Sequence, residues 1–375
     1  FYVGGFKMKK PICIVLAVIM ALTLLVGCSS SSSSSKDSVS DGNSGSTQSS
    51  ETGNEKAEEK DLPVLRTAVI PVVSCIAVPY IIEKGWDVEN GFKIETSVFS
   101  SGAPMSEALA ADLWDVGIMS AAGVFATANY DAMCIADVSD SIGERGIGVF
   151  VRPDSPIAQV KGSNPTYPTL YGDVDTVKGK TILFPQGTLS QLQVTKWLEK
   201  IGLKGSDVNM VHMEFAQAYQ AFMSGQGDIV ALNPPFCFNA ADEGMIEVAP
   251  VEDLDIALND MVFANKKTYE SKKEIIKKFL ELVYRANEDF SNDQKLKEET
   301  LSNWYKVNGS EVEADVISRE ATKRSFTIED IKNIETGSTL IDTAEFFASI
   351  GKLEMSKLPT IKENINDELV KEIVK

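Results

Sequence analysis

From Leu62 onward the chain repeats one pattern: a short apolar run, a loop of Gly, Ser and Thr, then an amphipathic stretch. The apolar runs are too short for helices and suit buried strands, whereas the stretches after them carry apolar residues at helical spacing. Leu65 to Ile70 reads as a strand, Val72-Val73-Ser74-Cys75 as a loop, and Ala77 to Lys84 as a helix ended by Gly85. Phe92, Ile94, Thr96 and Val98 alternate through a second strand into Ser100-Ser101-Gly102, and a helix with Pro104 in its first turn follows. Asp115 to Met119 is a third strand, leading into Ser120-Ala121-Ala122-Gly123 and a helix to Tyr130. Ala132 to Val138 and Gly146 to Val151 are two more. A second series then begins. Thr181 to Phe184 is a strand, Pro185-Gln186-Gly187-Thr188 a loop, and Ser190 to Lys200 a helix with Val194, Trp197, Leu198 and Ile201 on one face. Val208 to Met213, a helix over Ala216 to Ser224, and Ile229 to Leu232 continue it. Such alternation predicts a mostly parallel sheet flanked by helices, and two series predict two α/β lobes. From Ser271 the tail reads as mainly helical, with Ile275, Phe279, Val283 and Phe290 forming one face that packs back on the first lobe.

The N-terminal part has a different character. Phe1 to Lys7 precede Met8 and read as an extension of the start; Lys9 and Lys10 then form a positive segment before the apolar run Ile12 to Val26. That run is shorter than the about 20 residues that span a bilayer, and it suits the core of a signal peptide. It ends in Leu25-Val26-Gly27-Cys28, which resembles the bacterial lipobox, so residues 1–28 are expected to be a signal segment with Cys28 as the acylated residue. The alternative is an ordinary secretory signal with a chance cysteine. Between Ser29 and Asp61 only Val39 and Ala57 are apolar, and Ser29 to Ser35 is unbroken serine. A stretch of that kind buries too little surface to offset its ordering entropy. Residues 29–61 are therefore expected to be a disordered tether reaching roughly 30 Å. Cys75, Cys134 and Cys237 remain in the folded part, an odd number that suggests free thiols rather than a disulfide framework.

Charge narrows the function. Lys and Arg number 36 against 54 Asp and Glu, a net charge of −18. Nucleic acid is excluded as a partner, because binding it needs basic side chains to neutralise phosphates. Anionic lipid is repelled as well, so membrane attachment has to be covalent or through a partner. His212 is the one histidine in the sequence, which leaves no His-rich zinc site and no His-dependent catalytic triad except one built on that residue. No metal or cofactor is expected.

In open α/β sheets, ligands bind beyond the carboxyl ends of the strands, where loops enter helix N-termini. Ser74, Ser100, Ser101, Ser120, Thr188 and Ser190 all stand at such junctions, with Gly102, Gly123 and Gly187 beside them. Ala121 and Gln186 belong to the same loops. Each hydroxyl taken singly can be an N-cap. As a recurring set, with several helix N-termini converging, they predict a small-molecule site able to take an anion without a formal cation. Asn233 and Phe236 follow the strand Ile229 to Leu232 and can bond and stack on a ligand, or Pro234 and Pro235 can open a helix that buries Phe236. Cys75 is a candidate thiol at the site, although with no histidine or cation near it in sequence it reads more readily as packed. Asp137, Asp140, Ser141 and Glu144 can meet a ligand ammonium or cap a helix. His212 reads as a surface or core side chain rather than a base.

Taken together, the lipobox, the serine tether, the Leu65-Arg66-Thr67-Ala68 strand and Ser100-Ser101-Gly102 before an Ala-rich helix resemble the solute-binding proteins of ABC importers. The narrower resemblance is to their sulfonate, taurine, nitrate and thiamine-precursor group. It is carried by Asp115-Val116-Gly117-Ile118 before Ser120, by Val177 to Ile182 leading into Gln186-Gly187-Thr188, by Ala218 to Asp228, and by Phe263-Ala264. It spans about residues 62–300. The resemblance implies a two-lobed periplasmic-binding-protein-like (type II) fold. Its first lobe would run over residues 62–150, its second over 151–257, and residues 258–375 would return to the first. Crossovers would lie near Gly146 to Arg152 and Leu258 to Ala264. Three features depart from the group. Asn233 stands where relatives often carry Trp, Val160 to Asp175 is an added segment rich in Pro and Tyr, and no Arg falls in the cleft loops. Arg145 and Arg152, near the hinge, are the nearby candidates.

The function so implied is that of a monomeric, non-enzymatic receptor, lipid-anchored at the extracytoplasmic face of a bacterial membrane. It would hold a small polar or anionic solute and deliver it to a permease and an ATPase. The alternatives are a surface interaction lipoprotein and a thiamine-pyrimidine-synthase-like enzyme on the same fold.

Overall fold

A computed structural model describes residues 62–140 and 147–375. The expected signal segment, the acylated Cys28, the tether of residues 29–61, and Ser141, Glu144, Arg145 and Gly146 lie outside the described residues. The strands are β1 (Val64–Val69), β2 (Lys93–Val98), β3 (Val116–Met119), β4 (Ala132–Asp140), β5 (Gly148–Val151), β6 (Thr181–Phe184), β7 (Asn209–His212), β8 (Ile229–Leu232), β9 (Ile246–Glu247) and β10 (Asn259–Asn265).

They form two five-stranded sheets, in the orders β2-β1-β3-β10-β4 and β7-β6-β8-β5-β9. In the first sheet β1 runs parallel to β2 and β3, while β10 is antiparallel to both β3 and β4. In the second, β6 runs parallel to β7 and β8, and β5 is antiparallel to β8 and β9. Each sheet thus has a single strand opposed to all the others. Both opposed strands follow a passage from one sheet to the other. A strand that arrives from the neighbouring sheet enters at the carboxyl edge, where the parallel strands end, and so must run against them. β5, residues 148–151, lies wholly in the second sheet. β4 continues to Asp140, two residues beyond the expected end, because Asp140 pairs with Asn259 of β10.

The sequence periodicities become packing. The helix Ala77–Lys84 ends at Gly85, whose φ of 70° is a left-handed cap that favours glycine. Its Val78 and Ile81 share a core with Leu65 of β1 and with Ile276, Phe279, Leu280 and Val283 of the tail helix Lys266–Asn292. That helix starts earlier than its apolar face suggested, because the Asn265 side chain caps the Lys267 N–H at 3.0 Å. Asp115 pins the tail to the first sheet: its fully buried carboxylate takes Arg66 at 2.8 Å and Lys272 at 2.5 Å.

In the second lobe Trp197, fully buried, packs with Ile182, Val149 and Phe184, and burial of a side chain of this size stabilises by about 2 to 3 kcal/mol. The Val160 to Asp175 segment is stitched onto this core. Tyr171 O accepts from the Trp197 indole at 2.9 Å, and the Tyr171 N–H donates to Val248 O at 2.9 Å.

Candidate functional site

Between the two sheets lies a cleft of about 760 Å³, part of it open to solvent. Its walls come from the carboxyl edges of both. Ile70, Val72, Val73 and Ser74 follow β1, Gly102 follows β2, and Ser120 and Ala122 follow β3. Thr188, Leu189 and Ser190 follow β6, Phe215 follows β7, and Asn233 and Pro234 follow β8. The helices Gly102–Ala110, Ala122–Asn129, Leu189–Lys200 and Phe215–Met223 start at these loops, and none has a side-chain cap at its N-terminus. The Gly123, Val124 and Gln191 N–H groups are taken up by the carbonyls of Ser120, Ala121 and Thr188, while those of Ala122, Leu189 and Ser190 keep their capacity to meet an acceptor.

Ser74, Ser120, Thr188, Ser190 and Asn233 line the cleft together. They differ in what their polar atoms do. The Thr188 hydroxyl donates to Pro185 O at 2.8 Å and so serves its own loop. The Ser190 hydroxyl and the Asn233 Oδ1 are buried and take no hydrogen bond among the described residues. Ser101, beside the lining Gly102, likewise has a buried hydroxyl without a partner. A buried polar atom left unpaired costs about 1 to 3 kcal/mol, which a ligand group can recover.

Other candidates fall elsewhere. Cys75 is fully buried, 3.9 Å from Ile118 O, and burial pushes its thiol up to about 12, so it is a packed side chain. Ala121 is buried in the first lobe's core. Ser100 is directed to Glu214 on the opposite lobe, at 2.9 Å. Asp140 closes β4 and is not part of the lining. Gln186 lines a neighbouring cavity with His212 and Glu214, and its N–H donates to His212 Nδ1 at 3.1 Å. Phe236 lies against Tyr219, ring centroids 5.4 Å apart, while Phe238 reaches the cleft. Two residues apart on a helix they point about 200° apart, so only one can face a given surface. Arg152 donates to the carbonyls of Phe222, Gln226 and Gly227 and does not line the cleft.

The tail supplies what the loops lack. Arg319, Glu320 and Lys323 line the cleft, together with Asp260 of β10. The Lys323 ammonium sits 2.7 Å from Asp260 Oδ2, which also accepts from the Ser139 hydroxyl at 2.8 Å. Glu320 is fully enclosed; it accepts from Val73 N at 2.8 Å and from Tyr305 OH at 2.7 Å. Burial pushes its carboxyl up to about 7, against the pull of those two hydrogen bonds. Burial also brings the neighbouring Lys297 down to about 8, aided by the charge of Lys323. Arg319 is paired with Asp242 of the second lobe and with Asp315, and its guanidinium lies 4.8 Å from the Phe238 ring. The helix Ala314–Ala321 carries a sequence signal for this. Val316, Ile317 and Ala321 form its buried stripe, and Glu320 occupies the same stripe where an apolar residue is the norm.

Residues 76–295 match the NMT1/THI5-like family. The chain belongs to that family. The NMT1/THI5-like chain is 42% identical over 311 residues to a Brachyspira hyodysenteriae protein whose name describes an ABC transporter periplasmic binding protein, covering 83% of this chain and 89% of that one. Among solved structures, it resembles the alkanesulfonate-binding protein of Xanthomonas axonopodis pv. citri, bound to MOPS. The TM-score is 0.64 at 19% identity, over 80% of this chain and 97% of the other. The periplasmic nitrate-binding protein of Synechocystis PCC 6803 gives a TM-score of 0.63 at 13% identity, over 84% of this chain and 88% of the other. At such identities the likeness is one of fold, and it makes the two-lobed architecture of this NMT1/THI5-like protein that of the periplasmic binding proteins.

Proposed function

We propose that this protein is the solute-binding component of an ABC importer, lipid-anchored through Cys28 at the extracytoplasmic face of a bacterial membrane. It captures a small polar or anionic molecule in the cleft between its lobes and passes it to a permease driven by an ATPase. The observation that carries this reading is the cleft itself: loops from both sheets converge on it with helix N-termini that lack side-chain caps, and with the buried Ser190 hydroxyl and Asn233 Oδ1, which have no partner among the described residues. A site built from two halves in this way encloses a solute when the lobes close and releases it when they part. The name of the Brachyspira relative supports the transporter role. The names of the solved neighbours make sulfonates and nitrate the first classes to try, and the resemblance of the sequence adds pyrimidine precursors.

The test is a thermal-shift panel of these classes and amino-acid derivatives on residues 60–375. A true ligand at a thousand times its Kd adds about 4 kcal/mol to folded stability, a rise of several degrees in the midpoint. Mass spectrometry of protein purified without added solute then looks for a carried ligand. No shift and no carried molecule would sink the receptor reading. The anchor has its own test: Cys28→Ala should move the protein from the membrane fraction to the soluble one.

A further inference from the structure

The groups facing the cleft set the polarity of what it can hold. Every cation lining it among the described residues is already held by a carboxylate: Lys323 by Asp260, and Arg319 by Asp242 and Asp315. Lys297, behind them, donates to the Lys323 carbonyl. Around these three cations stand the carboxylates of Asp242, Asp260 and Asp315, with the enclosed Glu320 already accepting from Val73 N and Tyr305 OH. Acceptors, by contrast, are left over. The Asp260 side chain, only 7% exposed, takes the Ser139 hydroxyl and the Lys323 ammonium at Oδ2, and no hydrogen bond from the described residues reaches its Oδ1. Asn233 Oδ1 is a second acceptor without a donor among the described residues, and the Ser190 hydroxyl, on a residue 1% exposed, is open to either role.

A free oxyanion entering this space would find backbone dipoles in its favour, no uncommitted side-chain cation among the described residues, and unsatisfied acceptors against it. A ligand bearing N–H groups would satisfy those acceptors. An acidic group on the same ligand could still rest on the helix N-termini at Gly102, Ala122 and Leu189.

We infer that the cleft selects a compact solute that carries no net negative charge and presents an N–H to Asp260 and Asn233, neutral or zwitterionic nitrogen compounds being preferred to free oxyanions. The inference rests on the receptor reading above and narrows it.

It is tested by isothermal titration of matched pairs: ethanesulfonate against 2-aminoethanesulfonate, butyrate against 4-aminobutyrate, and benzoate against benzamide, with nitrate alongside. The expected result is that the nitrogen-bearing member of at least one pair binds roughly tenfold or more tightly than its partner. Asp260→Asn should erase that preference. Because Asp260 also holds Lys323, Asn233→Leu is the second variant; it removes an acceptor that no group among the described residues uses and should likewise lower the preference. Tighter binding of the oxyanion members, or of nitrate, would overturn the inference and leave the receptor reading intact. A series flat in all pairs would also overturn it, while the search for a carried ligand decides the receptor reading separately.

Discussion

The Ser100 hydroxyl donates to the Glu214 carboxylate at 2.9 Å, joining the loop after β2 to the loop after β7. This bond crosses from one lobe to the other, as does the ion pair of Arg319 with Asp242. Both link the two lobes directly. Ser100→Ala combined with Arg319→Gln should therefore shift the free protein toward an open form. Bonds this exposed contribute little each, so affinity should fall only by about two- to tenfold. Fluorescence transfer between dyes on the two lobes measures it. An unchanged distance distribution would show that the bridges do not bias closure.

Ser190 and Thr188 stand two residues apart and should behave oppositely. Ser190→Ala removes a hydroxyl with no partner among the described residues, so it should weaken solute binding by about 1 to 3 kcal/mol and leave the melting temperature near the parent's. Thr188→Ala breaks the bond to Pro185 O and should lower stability by about 1 kcal/mol, with a smaller effect on binding. Calorimetry and thermal melts on both variants separate the roles, and identical profiles would refute the distinction.

Glu320 should leave its mark on stability against pH. Its carboxyl is held near 7 against an ordinary value of 4.5. Between those values the folded chain keeps a proton that the unfolded chain has lost, so stability falls as pH rises through that window. At about 1.4 kcal/mol per pH unit the loss amounts to about 3 kcal/mol. Glu320→Gln should flatten this part of the profile in urea melts at pH 5, 6 and 7.

Asp115 works in the opposite sense. Burial alone would raise its carboxyl, but hydrogen bonds from Arg66 and Lys272 bring it to about 2. The stabilisation is present above about pH 4 and is lost as pH falls toward 2. Asp115→Asn should cost about 3 kcal/mol at pH 7, since it leaves two cations without their shared partner, and should remove that acid-side loss.

The three thiols of the described residues are all buried, and burial raises each one. Folded protein should leave Cys75, Cys134 and Cys237 unlabelled by Ellman's reagent, and denaturant should expose all three. Rapid labelling of Cys75 in the native state would mean that the cleft opens into the first lobe's core.

The strands and most helices were legible because periodicity encodes burial. Ile229–Leu232 and Ala77–Lys84 have the limits their sequence suggests. The first half of the cleft's lining followed for the same reason: loops after strands converge wherever the sheets face each other, which brings Ser74, Ser120, Thr188, Ser190 and Asn233 to one cleft. Other site residues were hidden because their position depends on tertiary return. Nothing near Arg319, Glu320 or Lys323 in sequence says that a helix from the far tail reaches the cleft. Glu320 in an apolar stripe was the local hint, and its meaning depends on Val73 and Tyr305 arriving from elsewhere. Phe236 and Phe238 show the complementary limit, since helix phase, not residue type, decides which ring faces a ligand.

The place of β10 between β3 and β4 also dictates an order of assembly. A chain emerging N-terminus first delivers all five strands of the second sheet, β5 to β9, before the strand that joins β3 to β4 in the first. Until Asn259–Asn265 arrives, β3 and β4 lack the strand that joins them, and the tail helices that cover β1 come later still. The lobe synthesised in the middle can thus fold first, and the lobe that begins the described chain is the last to close. A nascent chain halted before Asn259 would carry every strand of one sheet and, in the other, two halves still waiting for their keystone.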